Sequence, residues 1–119
     1  MTAIGVDLGG HKIAAALVED GRIVERISEP TAGREPDGIL NQIAAMVKRL
    51  GACAECPVGV GIPGVLDAAR EVALLLPNFT GWNGLPIRKM LSSKIGLPVE
   101  LENDANCYAL GEGWGGAAR

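Results

Sequence analysis

Four short stretches of the chain place polar or backbone groups where apolar runs end: Asp7-Leu8-Gly9-Gly10-His11-Lys12, Gly61-Ile62-Pro63-Gly64, Pro77-Asn78-Phe79-Thr80-Gly81-Trp82 and Glu102-Asn103-Asp104-Ala105-Asn106. In the first, the backbone N–H groups beside Gly9 and Gly10 carry no bulky side chains and can form an anion-binding concavity. Asp7 offers a hard oxygen to a divalent cation such as Mg²⁺, and Lys12 adds positive charge. The G-x-x-x-x-G-K-[ST] spacing of a P-loop is absent, and an ordinary Gly-Gly hairpin accounts for the same residues. Gly64 lets a ligand approach the backbone, although Pro63-Gly64 also reads as a simple turn. Asn78, Asn103 and Asp104 bring two amides and a carboxylate, groups that read several hydroxyls at once. A wrong ligand that leaves one of them unpaired costs about 1–3 kcal/mol. Taken alone, Asn103 and Asp104 serve equally as helix caps, and Trp82 serves equally as a plug on the core.

The elements that position these groups follow from the apolar pattern. Residues 3–8 and 12–18 are apolar runs joined by Gly9-Gly10, and residues 22–27 alternate after the Asp20-Gly21 turn, which predicts an antiparallel three-strand meander. Residues 28–38 are rich in Pro, Gly and charge and read as a loop. Beyond Asp37, the spacing of Ile39, Leu40, Ile43, Met46, Val47 and Leu50 predicts a helix closed by Gly51. Val58-Gly59-Val60-Gly61-Ile62 predicts a strand, and Val65-Leu66-Asp67 with Glu71-Val72-Ala73 a small excursion. Leu85-Pro86 opens a second helix that Gly96 stops. Residues 97–101 predict a last strand, so that Asn103 and Asp104 fall where it hands over to a helix. The sum is an α/β fold with a mixed five-stranded sheet and flanking helices. Ligands of such sheets bind beyond the carboxyl ends of the strands.

Bulk properties narrow the function. The 119 residues are 48% hydrophobic and 21% charged, the balance of one globular domain. A net charge of −3 gives no footprint for nucleic acid or anionic membrane. Seventeen glycines against four aromatic residues (two Trp, one Tyr, one Phe) suit a ligand-handling α/β protein. No leader peptide and no span of about 18 apolar residues is visible, so a cytoplasmic location is expected. Cys53, Cys56 and Cys107 are odd in number, which argues against a disulfide framework. Cys53 and Cys56 have redox-like or zinc-like spacing, but a zinc site takes four ligands and His11 is the chain's one histidine.

In order, D-L-G-G-x-K, G-I-P-G, P-N-F-x-G-W and E-N-D-A-N resemble the amino-terminal lobe of the ROK sugar kinases, a family of kinases and repressors in the actin-like ATPase superfamily. The resemblance covers residues 1–119, about half of a complete family member. It implies that the Gly9-Gly10 hairpin, with His11 and Lys12, binds the phosphates of ATP, and that Asp7 lies close to Mg²⁺. It implies that Gly64, Asn78 and Asn103 line the pocket for a hexose, with glucose first, and that Asp104 is both sugar ligand and base. His11 stands where the family usually has Thr, which alters the phosphate contact without excluding it. The family's structural zinc, adenine site and remaining sugar ligands belong to a carboxyl-terminal lobe outside this chain, so these residues alone are expected to be inactive. The alternatives are a sugar-responsive ROK regulator and a non-catalytic sugar-binding module. A regulator usually carries a helix-turn-helix domain ahead of the first strand, and here Ala3-Ile4 follows Met1 almost directly. The resemblance leaves a homo-oligomer open for the complete protein.

Overall fold

The computed structural model describes residues 2–51, 56–76, 79 and 81–103. β1 (Thr2–Leu8), β2 (Lys12–Glu19) and β3 (Arg22–Pro30) form the antiparallel meander. Asp20 and Gly21 supply consecutive positive φ angles of 50° and 80°, the backbone that a two-residue hairpin turn needs. β4 (Val58–Ile62) and β7 (Val99–Asn103) then join β1 in parallel, giving the order β3-β2-β1-β4-β7. β5 (Val65–Leu66) and β6 (Ala73–Leu75) form a separate two-stranded ribbon.

Two helices cover one face of the sheet. α1 (Pro36–Arg49) turns Ile39, Leu40, Ile43, Met46 and Val47 inward, and α2 (Ile87–Ile95) buries Ile87 and Leu91. They meet a strand layer of Ile4, Val6, Leu8, Ile13, Ala15, Val58, Val60, Ile62, Val99 and Leu101, all buried in one cluster. Both helices end as their glycines require: Gly51 (φ 76°) and Gly96 (φ 78°) are left-handed, which frees the last carbonyls to be capped.

Three boundaries differ from the sequence reading, each for a local reason. β3 runs on to Pro30 because Ser28, Glu29 and Pro30 pair with Ala14, Ile13 and Lys12, and a proline is tolerated on an edge strand. α1 starts at Pro36 with Glu35 as its N-cap, since Pro suits the first helical position. Asp37 therefore lies inside the first turn, where its charge meets the positive helix end. The last strand begins at Val99 and runs to Asn103, so Asn103 ends a strand.

Burial predicts the response to truncation. Ile4 is fully buried and Val24 is 54% exposed. Ile4→Ala should destabilise the fold by about 2–5 kcal/mol, and Val24→Ala should stay within about 0.5 kcal/mol, as read from urea midpoints.

Candidate active site

The parallel trio β1, β4 and β7 sends three chain segments off the same edge of the sheet. Register makes the alignment explicit: Asp7 pairs with Gly61 and Gly61 with Glu102, while Ile62 pairs with Asn103. The hairpin at Gly9-Gly10, the Pro63-Gly64 break and the end of β7 at Asn103 therefore lie side by side, within about two strand spacings of 4.8 Å. Val6 and Leu8 point into the helix-covered core, and Asp7 is exposed on the opposite face. Gly61 has no side chain, so only its buried backbone lies between Asp7 and Glu102 in the register.

The hairpin tip is held from outside by a strap, residues 31–34. Thr31 Oγ1 donates to Gly9 O at 2.9 Å, the Thr31 N–H donates to His11 O at 2.9 Å, and Arg34 Nη1 donates to Gly10 O. All of these bonds land on carbonyls of consecutive tip residues. A carbonyl bonded to the strap cannot turn toward an anion at the tip, so the strap favours the N–H-outward arrangement that such a ligand needs. Gln42 anchors the start of the strap, donating to Glu29 Oε1 and Pro30 O and accepting from the Ala32 N–H. The Gln42 amide and the Arg49 guanidinium hold the Glu29 carboxyl below its usual 4.5.

The glycines of the tip differ. A Cβ at Gly9 would come within 2.9 Å of Lys12 O, whereas one at Gly10 would meet nothing within 4 Å. Gly9 thus closes the turn, donating its N–H to Lys12 O at 3.0 Å, and Gly10 leaves open space beside the backbone. His11 and Lys12 are both exposed at this tip.

Gly64 adopts φ 114°, which side-chain-bearing residues hold only under strain. It leads into the β5–β6 ribbon, whose turn is organised by Asp67. The Asp67 carboxylate accepts the N–H groups of Glu71 at 2.8 Å and Val72 at 3.1 Å. Those bonds, Val72's foremost, pull it below its usual 3.8. The turn places Arg70 on Glu102, tying the ribbon to β7 one residue before Asn103. Trp82 is fully buried and donates Nε1 to Arg34 O at 2.7 Å, so it plugs the core as one of its two readings had it.

Asp7, Gly9, Gly10, His11, Lys12 and Gly64, with the backbone of Asn103, gather at this edge. Asn78, Asp104, Cys53 and the helix expected after Asp104 lie outside the described residues. Cys56 is buried, and among the described residues no three His, Cys, Asp or Glu side chains cluster as a metal cage. Thr31, Arg34 and Arg70 escaped the sequence reading because each acts through a partner 22 to 32 positions away. Glu102 stood within the E-N-D-A-N stretch, but nothing local marked its partner.

A mixed sheet with a glycine hairpin on its first parallel strand and ligand-type segments off the same edge is the actin-like ATPase architecture. Within it, the chain belongs to the ROK family, whose profile matches residues 3–119. It is 39% identical to a glucokinase of Thermotoga maritima over 98% of this chain and 38% of that enzyme. An N-acetyl-D-glucosamine kinase of Vibrio atlanticus is 36% identical over 92% of the chain and 37% of its own length. A ROK family glucokinase from Streptomyces griseus, crystallised with glucose and AMPPNP, superposes with a TM-score of 0.84 at 38% identity, covering all of this chain and 38% of that one. The chain therefore spans under two-fifths of the length of these relatives.

Two expectations follow from the geometry. Gly9→Ala should destabilise the fold by about 1–3 kcal/mol and Gly10→Ala by no more than about 0.5 kcal/mol, compared by thermal melting. Because folding lowers the Asp67 pKa, its stabilisation is present above the usual value of 3.8 and is lost as pH falls below it. Urea midpoints should drop on acidification through that value, and Asp67→Ala should be less stable at neutral pH and lose less on acidification.

Proposed function

We propose that the chain is the amino-terminal lobe of a sugar kinase that transfers the γ-phosphoryl group of ATP to a hexose hydroxyl, converting glucose to glucose 6-phosphate. The observation that carries this reading is the convergence of the Gly9-Gly10 hairpin, Gly64 and the end of β7 at one edge. It occurs in a chain that aligns over its whole length with a glucokinase holding glucose and AMPPNP.

The residues divide the work. The tip of Gly9, Gly10 and His11 receives the ATP phosphates in the space that Gly10 leaves open, and Lys12 offsets part of their charge. Gly64, Asn78 and Asn103 hold the sugar. Asp104, directly after β7, accepts the proton of the attacking hydroxyl. The oxygen–γ-phosphorus bond forms, the bond from the γ-phosphorus to the bridging oxygen breaks, and ADP departs with the electron pair. Such transfer needs mainly positioning and charge stabilisation, so an ordinary carboxylate suffices as base. Asp7, an exposed hard oxygen donor beside the tip, fits Mg²⁺, which keeps several waters and takes only one or two carboxylates. Bound there, Mg²⁺ would supply charge neutralisation on the transferring phosphates.

The adenine site, the structural zinc and the remaining sugar ligands are assigned to a carboxyl-terminal lobe, and the 119 residues alone should show no useful turnover. We place the enzyme in the cytoplasm, without nucleic-acid partners, and as a homo-oligomer when complete. No described helix is long and apolar enough to cross a membrane.

The test is ADP release by the full-length protein with glucose, fructose, N-acetylmannosamine and N-acetylglucosamine. Glucose should give the highest kcat/KM. Asp104→Asn should lower kcat by about 10²–10⁴-fold with unchanged melting, and Asn78→Ala should raise the sugar KM about tenfold. Phosphorylation of none of these sugars, or full activity in Asp104→Asn, would overturn the reading.

A further inference from the structure

We propose that Arg34 is a positioning residue that couples the phosphate hairpin to the sugar loop, so that a ligand on either side raises affinity for the other. The inference rests on the kinase reading and extends it to communication between the two halves of the site.

Arg34 touches both halves at once. Its Nη1 donates to Gly10 O at the hairpin tip. Its guanidinium carbon lies 5.4 Å from the centroid of the Phe79 ring, the residue directly after Asn78. Its backbone is anchored separately, because the carbonyl accepts the Trp82 indole N–H at 2.7 Å and Trp82 is fully buried. Phe79 in turn meets Trp82 edge-on, with centroids 5.6 Å apart and planes at 68°.

This division matters mechanically. The anchored backbone gives the side chain a fixed origin, and its exposed head spans from the tip to the ring. A guanidinium is planar, with its donors in a rigid fork. It satisfies the Gly10 carbonyl and the Phe79 face together only when tip and loop hold the right separation and angle. A phosphate settling on the tip fixes the Gly10 carbonyl and therefore the guanidinium plane, and that plane sets where the Phe79 ring is most stable. A sugar settling on Asn78 sends the same constraint back. Coupling between binding sites must be reciprocal. In the described hydrogen bonds Thr31 reaches Gly9 and His11 of the tip and Gly33 within the strap, so it can shape the tip without linking it to the loop.

The experiment is calorimetric titration of the full-length protein with glucose, with and without saturating AMPPNP. In the parent, AMPPNP should tighten glucose binding about fivefold, the size expected when one cation–π contact is made or lost. AMPPNP titrations with and without glucose should return the same factor. Arg34→Met, which retains the stem and removes the cation, should bring that factor close to one while leaving affinity for glucose alone and the melting temperature unchanged. Arg34→Lys, with a cation but no fork, should retain part of it. Phe79→Leu should reduce the coupling factor as Arg34→Met does, with a lower melting temperature because its ring is buried in the core, and the double variant should lower the factor no further than either.

A parental factor of one, or an undiminished factor in Arg34→Met, overturns the inference and leaves the kinase reading standing. A parent that binds neither glucose nor AMPPNP overturns both. A purely structural role for Arg34 would instead lower melting and weaken both ligands equally, with the factor intact, which also overturns it.

Discussion

Parallel pairing of β1, β4 and β7 is the constraint on which the rest depends. Strands that run the same way must end at the same edge, and here those ends lead to the glycine hairpin and the Pro63-Gly64 break and bring Asn103, the last residue of β7, beside them. Their register sets Asp7, Gly61 and Glu102 in one row, so the buried backbone of Gly61 lies between two carboxylates. A one-residue slip of β7 would turn Glu102 into the core and Leu101 out of it, because side chains alternate along a strand. Burial of Val99 and Leu101 beneath α2 forbids that slip. The hydrophobic layer thus sets the geometry of the polar edge on the other side.

Around that edge the structure adds supports that do not themselves face a ligand. The strap of residues 31–34 engages the tip carbonyls, and the Asp67 turn brings Arg70 to Glu102. The Arg70–Glu102 pair, with Arg70 half exposed, contributes little to stability. The value of both supports is geometric: each ties a loop segment to a strand end. Trp82 is the counterpart inside the core, where a buried ring and one hydrogen bond hold it against Arg34, two residues before α1.

Much of this was legible in the residues. The meander could be read from its two turns, Gly9-Gly10 and Asp20-Gly21, and β4 from a five-residue apolar run that the structure reproduces residue for residue. Helix spacing in Ile39, Leu40, Ile43, Met46 and Val47 matched the buried face of α1, and the β5–β6 ribbon appeared where an excursion was expected. Boundaries failed where pairing or capping overrode composition. Residues 28–30 look like loop but are held in β3 by β2, and the helix expected beyond Asp37 starts earlier, at Pro36, with Glu35 as its N-cap.

The sequence by itself determined the elements, the core and the candidate groups, because turn chemistry and apolar periodicity act over a few neighbouring residues. Its motif order also pointed to the ROK family, to which the chain belongs. Only the tertiary structure decided that Asp7, Gly9, Gly10, Gly64 and the end of β7 share an edge, that Trp82 faces the core, and that Arg34 stands between the hairpin and Phe79. Those facts depend on contacts between residues 20 to 50 positions apart and more. A chain's local preferences carry no record of such contacts until strands pair and helices cover them.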